Sequence, residues 1–275
     1  MAGGIICSAI TPHTPRMGVE AGAPEFLRGV IEGSKRFGKH LQALKPELIV
    51  LHSAHWVCTF NWYVACHALH KGMCVADEAP DLISGLPYER PGDPEFGNLL
   101  TDQVKSLGVP CNRNESPHYH WDYGAYVPLQ YIDPAQRIPV VLLSTVLSAS
   151  LEECVAVGGA VATTAEKLGR RVAFISSCAL SHNLVRGPGV WPSEARQRMD
   201  REFIALLVSG NVTEAKVRLH DYTSAVVAEM GGRNVATMLG TLNDKGAQRF
   251  RGEQHGAYGP SSGSGNTSIS VWPTA

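Results

Sequence analysis

Residues 46–56 read PELIVLHSAHW, and this stretch carries the pattern that decides the fold. Four consecutive apolar residues, two of them β-branched, follow a proline and a glutamate and precede a polar stretch with two histidines. A short apolar run of this kind is typical of a strand that is buried on both faces, as in a parallel sheet. Similar runs occur at residues 4–10, 138–145, 171–178 and 267–272. Together, these runs predict the strands of a central sheet.

Apolar residues also recur at helical spacing between these runs. The helical stretches are 26–44, 96–107, 151–168 and 199–207. Strands that alternate with helices indicate an α/β fold with a central, mostly parallel or mixed sheet and helices on both faces. Because no internal repeat and no long linker divides the chain, we predict a single domain over residues 1–275.

Two segments lack these patterns and are predicted to be irregular. Residues 70–94 are rich in glycine, proline and acidic side chains, which indicates a long excursion over the surface. Residues 259–268 are predicted to form a loop that leads into the last strand. This loop contains a GxSxG match, but a serine hydrolase would need a helix and a histidine after it, and neither is indicated here.

Composition excludes several classes of function. Hydrophobic residues make up 44% and charged residues 18% of the chain, which is an ordinary globular mixture. The net charge of −1 gives no overall field to attract nucleic acid or anionic lipid. No apolar run reaches the ~18 residues of a membrane span, and no basic signal-peptide region is present. Seven cysteines without a CxxC pair indicate reduced thiols in a cytoplasmic protein. From the net charge and the lack of a long apolar run, we expect neither nucleic acid nor membrane as a partner.

Three histidines, His13, His55 and His182, share one kind of position, because each follows a predicted strand. A single histidine is usually a hydrogen-bonded structural residue, but the carboxyl ends of parallel strands meet at one crevice, where ligands bind. His52 and His55 are three residues apart and would point to opposite faces of a strand, so only one of them can join His13, and we predict His55. No HExxH or strand-following GxGxxG indicates a zinc-protease or dinucleotide site.

Six stretches resemble, in order along the chain, the conserved blocks of the class III extradiol ring-cleavage dioxygenases. They are TPHTPRM, PELIVLHSAHW, SGLPYERPGDPEF, HWDYGAYVPLQY, ISSCALSHNL and MGGRNVATMLG. The resemblance implies the opening of an aromatic ring, such as a catechol or a 2-aminophenol, by O2 at a non-haem Fe(II). It also implies that His13 and His55 are iron ligands and that His182 is an acid/base group near the substrate.

Two departures from the family's pattern concern the third iron ligand and the substrate pocket. The resemblance places the ligand carboxylate at Gly231, which has no side chain. In a helix, Glu229 would be rotated from this position by ~200° and would reach the site only if Gly231 and Gly232 broke the helix. Tyr123 replaces the histidine of the family's Asp-His-Gly triplet, and its pKa near ~10 would make it a poor proton shuttle.

With these departures the chain resembles the α-type subunits of heteromeric members that cleave 2-aminophenol. The resemblance then implies that this chain's metal site is vestigial, that the chain itself holds no Fe(II), and that a homologous β subunit carries out catalysis in a cytoplasmic α2β2 heterotetramer. Two alternatives stay open. One is an active Fe(II) dioxygenase of catecholic substrates that uses His13, His55 and Glu229, and the other is a binding module of the same fold without a redox role. Arg16 would receive a substrate carboxylate or pair with an acidic surface residue.

Overall fold

A mixed sheet of eight strands is the centre of the computed structural model, which describes residues 3–243 and 249–274. The strands of these described residues are β1 (Gly4–Thr11), β2 (Leu48–Cys58), β3 (Trp62–Ala65), β4 (Leu69–Met73), β5 (Pro87–Pro91), β6 (Cys111–Asn114), β7 (Val140–Val146), β8 (Arg171–Ser177), β9 (Arg249–Gln254), β10 (Gly259–Ser261), β11 (Ser264–Asn266) and β12 (Ile269–Thr274). The strand order of the large sheet is β6-β3-β7-β2-β8-β1-β12-β9. Its central strands, β7, β2, β8 and β1, are parallel, and antiparallel pairs flank them on both sides.

Helices cover both faces of this sheet. The α-helices of the described residues are α1 (Arg28–Ala43), α2 (Pro94–Ser106), α3 (Tyr123–Ile132), α4 (Leu151–Leu168), α5 (Glu194–Val208), α6 (Val212–Val226) and α7 (Arg233–Thr241). The short 3-10 turns are Pro15–Met17, Glu20–Gly22, Glu25–Leu27 and Glu229–Gly232. Helices α1 and α3 pack on one face, and the other five α-helices pack on the opposite face. The predicted single α/β domain with a mixed sheet is therefore confirmed.

Alternate residues of the central strands supply the two cores. In β8, Val172 and Phe174 pack in the core that contains α4 and α7, while Ala173 and Ile175 pack in the core that contains α1 and α3. All four side chains are fully buried. A strand buried in this way reads as a continuous apolar run, and this is why the central strands were predictable from the sequence.

Both segments that were predicted to be irregular contain strand pairs. Residues 70–94 include most of an antiparallel pair between β4 and β5, and residues 259–268 include a pair between β10 and β11. These strands are short and lack a run of apolar residues; β4 and β5 have few buried residues, whereas β10 and β11 are largely buried. Their pairing depends on backbone hydrogen bonds and not on an apolar pattern, so the sequence gives little sign of it.

Other features of the described residues bear on the chemistry of the chain. No helix among residues 3–243 and 249–274 has both the length and the apolar character that a membrane crossing requires. All seven cysteines are free thiols, and six of them are buried. Burial raises the pKa of Cys154 and of Cys111 to about 12, so these thiols stay protonated and act as small apolar side chains.

Candidate metal centre and active-site cavity

His13 and His55 meet at the carboxyl edge of the central sheet. His13 lies just beyond β1, and His55 lies in the irregular end of β2. The pairing of β2 with β7 shifts register between His52 and Val57, and such a bulge re-aims side chains. The Nε2 atoms of His13 and His55 are 3.0 Å apart. His52 is buried elsewhere, with its Nε2 2.9 Å from Oγ1 of Thr145, so only His55 joins His13.

Hydrogen bonds on the far side of each ring fix the tautomers of these two histidines. The Oγ of Ser177 donates to the carbonyl of Gly124 at 2.5 Å and therefore accepts from Nδ1 of His13 at 3.1 Å. The Nδ1 of His55 lies 2.6 Å from Oε1 of Glu78, which in its ionised form can only accept. In the neutral rings each Nδ1 thus carries the proton, and each Nε2 is left with a lone pair.

Glu229 is the third group beside His13 and His55, and it lies between two α-helices and not within one. The case in which a helix would carry its side chain to the far side does not apply, because α6 ends before Glu229 and α7 begins after it. Between them, Met230, Gly231 and Gly232 all have left-handed backbone angles, with φ of 48°, 63° and 84°. The two glycines accept this conformation at little cost, and the chain turns back so that Glu229 faces the sheet edge.

The two oxygens of the Glu229 carboxylate have different surroundings. Its Oε2 accepts a 2.5 Å hydrogen bond from the backbone N–H of Ala179. Its Oε1 is buried and has no hydrogen-bond partner, yet it lies 3.3 Å from Nε2 of His13 and 3.7 Å from Nε2 of His55. Burial acts to raise the pKa of Glu229, but positive charge on the neighbouring histidines outweighs it and holds the pKa well below its usual range, and a cation between the three groups would act in the same direction. The carboxyl group is therefore ionised.

This arrangement fits a divalent cation. Two lone pairs 3.0 Å apart repel each other, and an ionised oxygen without a partner is costly in a buried site, unless a cation lies between them. Neighbouring ligands of an octahedral ion with bonds of ~2.1 Å lie ~3.0 Å apart, close to the distances found here. Two histidines and one carboxylate on one face of an ion, with open positions opposite, form the ligand set of non-haem Fe(II) oxygenases.

A cavity of ≈ 240 Å³ opens over these three groups. The predicted residues His182, Tyr123 and Arg16 all line it, together with the metal-ligand candidates. The Nε2 of His182 lies 3.3 Å from Oε1 of Glu229, and its side chain is 27% exposed. Burial lowers the pKa of His182, which favours the neutral ring that can accept a proton.

Tyr123 forms a wall of the cavity against His55. It is the first residue of α3, whose N-cap is Asp122, and Asp122 also accepts a 2.6 Å hydrogen bond from Ser53. The rings of Tyr123 and His55 pack with their centroids 4.1 Å apart. Burial raises the pKa of Tyr123 well above its usual range, so its hydroxyl stays protonated and can donate a hydrogen bond.

Arg16 lies in the 3-10 turn that follows His13. Within the described part of the chain it makes no hydrogen bond and no ion pair, so the alternative of pairing with an acidic surface residue is not observed there. Its guanidinium is thus available to an anionic group in the cavity.

Two residues that contact the candidate ligands were missed in the sequence. Ser177, at the end of β8, lies in a run that reads only as a strand. Glu78 lies in the acidic stretch that was predicted to be a surface excursion. Neither residue has a motif spacing to the histidine that it contacts, so the folded chain is needed to find them.

Comparisons with known proteins bear on the resemblance. The family described as the catalytic LigB subunit of aromatic ring-opening dioxygenase matches residues 8–266. The 3,4-dihydroxyphenylacetate 2,3-dioxygenase of Escherichia coli is 24% identical over 222 residues, which cover 78% of this chain and 80% of that protein. The α subunit of 2-aminophenol 1,6-dioxygenase from Pseudomonas sp is 26% identical over 240 residues, with coverages of 83% and 84%. The β subunit is 24% identical over 293 residues, with coverages of 97% and 93%.

A solved structure also shares the fold. The uncharacterized protein JW3007 from Escherichia coli K12 matches with a TM-score of 0.65 at 18% identity, and the match covers 96% of this chain and 99% of that chain. The resemblance of the six sequence blocks is confirmed by the family match, which spans nearly the whole chain. The chain therefore belongs to the LigB family of aromatic ring-opening dioxygenases.

Proposed function

We propose that this chain is itself an Fe(II)-dependent extradiol dioxygenase, with its own metal site formed by His13, His55 and Glu229. The observation that carries the proposal is the convergence of two Nε2 lone pairs and one unpartnered carboxylate oxygen within 3.7 Å of one another. This is the active alternative that the sequence left open, and we propose it in place of the vestigial site that Gly231 implied. The substrate is an aromatic ring with two adjacent hydroxyl groups, or with a hydroxyl and an amino group.

The proposed reaction uses O2 as the oxidant, and both of its atoms enter the opened ring. Bound Fe(II) would supply the one-electron chemistry that allows O2 to react with an aromatic ring. His182 takes a proton from a substrate hydroxyl and later returns it, because its neutral ring lies within the cavity beside Glu229. The Tyr123 hydroxyl donates a hydrogen bond to the substrate and does not act as a base.

The cavity restricts the size and charge of the proposed substrate. Its volume of ≈ 240 Å³ is below the ~300–1,000 Å³ typical of pockets for drug-sized ligands, which favours a single ring. Arg16 lines the cavity without an internal partner and would receive a carboxylate substituent on that ring.

A second candidate is a supporting α-type subunit in an assembly with a homologous catalytic β subunit. Two observations favour it. Both subunits of a 2-aminophenol 1,6-dioxygenase are among the chain's relatives. In addition, Tyr123 occupies the position at which the resemblance to the family places a histidine. In this arrangement the present chain would contribute to assembly, and its own site would hold little iron.

Iron analysis of the purified chain separates these candidates. The chain is produced alone under anaerobic conditions with Fe(II), and its iron content and ring-cleavage activity are measured for the wild type and for Glu229→Ala. We expect one iron per chain in the wild type and loss of iron and activity in the variant, while Glu202→Gln on the exposed surface of α5 changes neither. Iron that appears only when a homologous second chain co-purifies would favour the α-type role. No iron on the chain, alone or with a second chain, and no ring-cleavage activity would favour a binding module without redox activity.

A further inference from the structure

We infer that Glu78 is a positioning residue for His55, which it holds in the tautomer and orientation that direct Nε2 to the metal. This inference rests on the proposed function, because it requires that His55 is a metal ligand. It goes beyond the ligand set, since neither the sequence motifs nor the family match gives Glu78 a role.

The contact between the two side chains is short and one-directional. Oε1 of Glu78 lies 2.6 Å from Nδ1 of His55. An ionised carboxylate accepts and cannot donate, so the proton of His55 is held on Nδ1 and the lone pair on Nε2. A histidine that ligates a metal is commonly held in this way by a carboxylate on its other nitrogen.

The two candidate histidine ligands are held by different groups. Ser177, fully buried, accepts from His13, whereas Glu78 has a side chain that is 53% exposed. A carboxylate is a stronger acceptor than a hydroxyl, so it makes His55 the more basic ring and the better donor to a cation. Loss of the carboxylate should therefore affect His55 and leave His13 unchanged.

The backbone of the 74–86 loop fixes where the Glu78 side chain starts. The backbone N–H of Cys74 donates to the carbonyl of Leu86 at 2.8 Å, which closes the loop at its base. Ile83 is buried against Gly18, where an added Cβ would lie 2.3 Å from the Ile83 side chain. Ala79 of the same loop is buried and lines the cavity. Glu78 is thus brought to His55 by a packed segment and not by a freely moving one.

An ordinary surface ion pair is the competing explanation. Exposed ion pairs contribute little to stability, because water screens them and the side chains lose entropy. If Glu78 were only such a pair, its removal would leave metal binding unchanged. The two explanations therefore differ in metal affinity and not in folding.

The test measures the affinity of the full chain for Co(II), a spectroscopic substitute for Fe(II), in the wild type, Glu78→Ala, Glu78→Gln and Asp81→Asn. We expect Glu78→Ala to weaken Co(II) binding by ~10–100-fold, and Glu78→Gln to weaken it less because an acceptor oxygen remains. Asp81, an exposed acid of the same loop, is the matched control and should bind as the wild type does. Thermal unfolding of the metal-free variants checks that each one folds. If Glu78→Ala does not fold, the affinity of Glu78→Gln still tests the inference.

Proton NMR of the Co(II) protein provides a second readout. The Nδ1 protons of the two ligating histidines should appear as two exchangeable, paramagnetically shifted signals. In Glu78→Ala the signal of His55 should be lost to exchange with water, while that of His13, held by Ser177, should persist. Unchanged affinity and two persistent signals in Glu78→Ala would overturn the inference and leave the proposed function intact. If the wild type binds no Co(II) or Fe(II), both fail, because His55 is then not a metal ligand.

Discussion

At the scale of single residues, the two oxygens of the Glu229 carboxylate differ in their hydrogen bonding, and one of them is the proposed metal ligand. One oxygen is anchored by the backbone of Ala179, and the other is left without a hydrogen bond in a buried position. A folded protein rarely leaves an ionised oxygen in this state, because burial of an unpaired charge costs several kcal/mol. The cost is offset if a cation is bound between this oxygen and the two imidazoles, and the site is then more stable when loaded.

The roles of His182 and Tyr123 predict different losses when each is changed. His182→Gln should lower kcat by roughly 10²–10⁴-fold, because it removes the group proposed to move a proton. Tyr123→Phe should lower kcat by far less, because the phenol is held neutral and its ring still packs on His55. Steady-state kinetics of both variants, with iron content measured in parallel, checks this. Equal losses in the two variants would contradict the assignment of the proton transfer to His182.

Arg16 predicts a preference for substrates that carry an anionic group. Arg16→Gln should raise KM for a ring with a carboxylate substituent by ~10–100-fold, since a hydrogen bond to a charged group is worth about 1.5–3 kcal/mol. The KM for uncharged catechol should hardly change. Kinetics with the two substrates on the same variant tests this prediction. A matching rise in KM for both would show that Arg16 supports the cavity wall and does not recognise charge.

At the scale of elements, the break between α6 and α7 brings the third candidate ligand, Glu229, to the two histidines. The chain leaves α6 at Val226, passes through left-handed residues and re-enters a helix at Arg233. A Cβ at Gly232 would lie 2.2 Å from Cγ2 of Thr223, and one at Gly231 would lie 2.8 Å from Nη1 of Arg233. Glycine is therefore required at position 232 by space as well as by backbone angle.

This break predicts an effect of a single added methyl group. Gly232→Ala should lower the free energy of unfolding by about 1–3 kcal/mol and weaken metal binding, because both the φ of 84° and the contact with Thr223 oppose the side chain. Gly159→Ala in the interior of α4, where a Cβ meets nothing closer than 4.0 Å, is the control and should be neutral or stabilising. Urea unfolding and Co(II) titration measure the two effects. Full metal affinity in Gly232→Ala would contradict the account of Glu229.

The elements that the sequence predicts are those with a repeating apolar pattern. The strands β1, β2, β7, β8 and β12 and the helices α1, α2, α4 and α5 were all indicated, because burial on one or both faces leaves a pattern in the residues. Polar hairpins have no such pattern, and neither has helix α3, which is buried on all sides except at Tyr126 and Gln130. For the site, strand exits and alternation predicted His13 and His55 together, but the break at Gly231 and Gly232 appeared only as a condition. Whether the helix breaks there depends on how Gly231 and Gly232 pack against Arg233 and Thr223, and no spacing of residues in the sequence indicates these contacts.

At the scale of the whole molecule, buried histidines tie stability to pH. Nε2 of His70 donates to the carbonyl of Val140 at 2.9 Å, and Nδ1 accepts from Trp121 at 3.3 Å, so both nitrogens are occupied in the neutral ring. Burial, as the largest cause, lowers the pKa of His70 to about 4, while the unfolded chain has the ordinary value near 6.5. Between these two values the unfolded state binds a proton that the folded state does not, so stability falls as the pH is lowered.

A variant at His70 tests this dependence. From pH 7 to pH 5 the wild type should lose about 2 kcal/mol of unfolding free energy through His70. The total loss in His70→Gln over the same pH range should therefore be smaller than that of the wild type by about 2 kcal/mol. His118→Gln, at an exposed position, should follow the wild type. Urea unfolding at several pH values measures the three slopes. Parallel slopes for His70→Gln and the wild type would show that His70 does not carry this proton linkage.

The central proposal for the whole molecule is that this chain holds Fe(II) through His13, His55 and Glu229. The most direct measurement is an anomalous-difference map at the iron absorption edge, from crystals of the chain grown without a partner subunit and loaded with Fe(II) under anaerobic conditions. We expect one iron peak ~2.1 Å from Nε2 of His13, Nε2 of His55 and Oε1 of Glu229. No peak at this point, or a metal bound by the two histidines with the Glu229 carboxylate turned away, would contradict it.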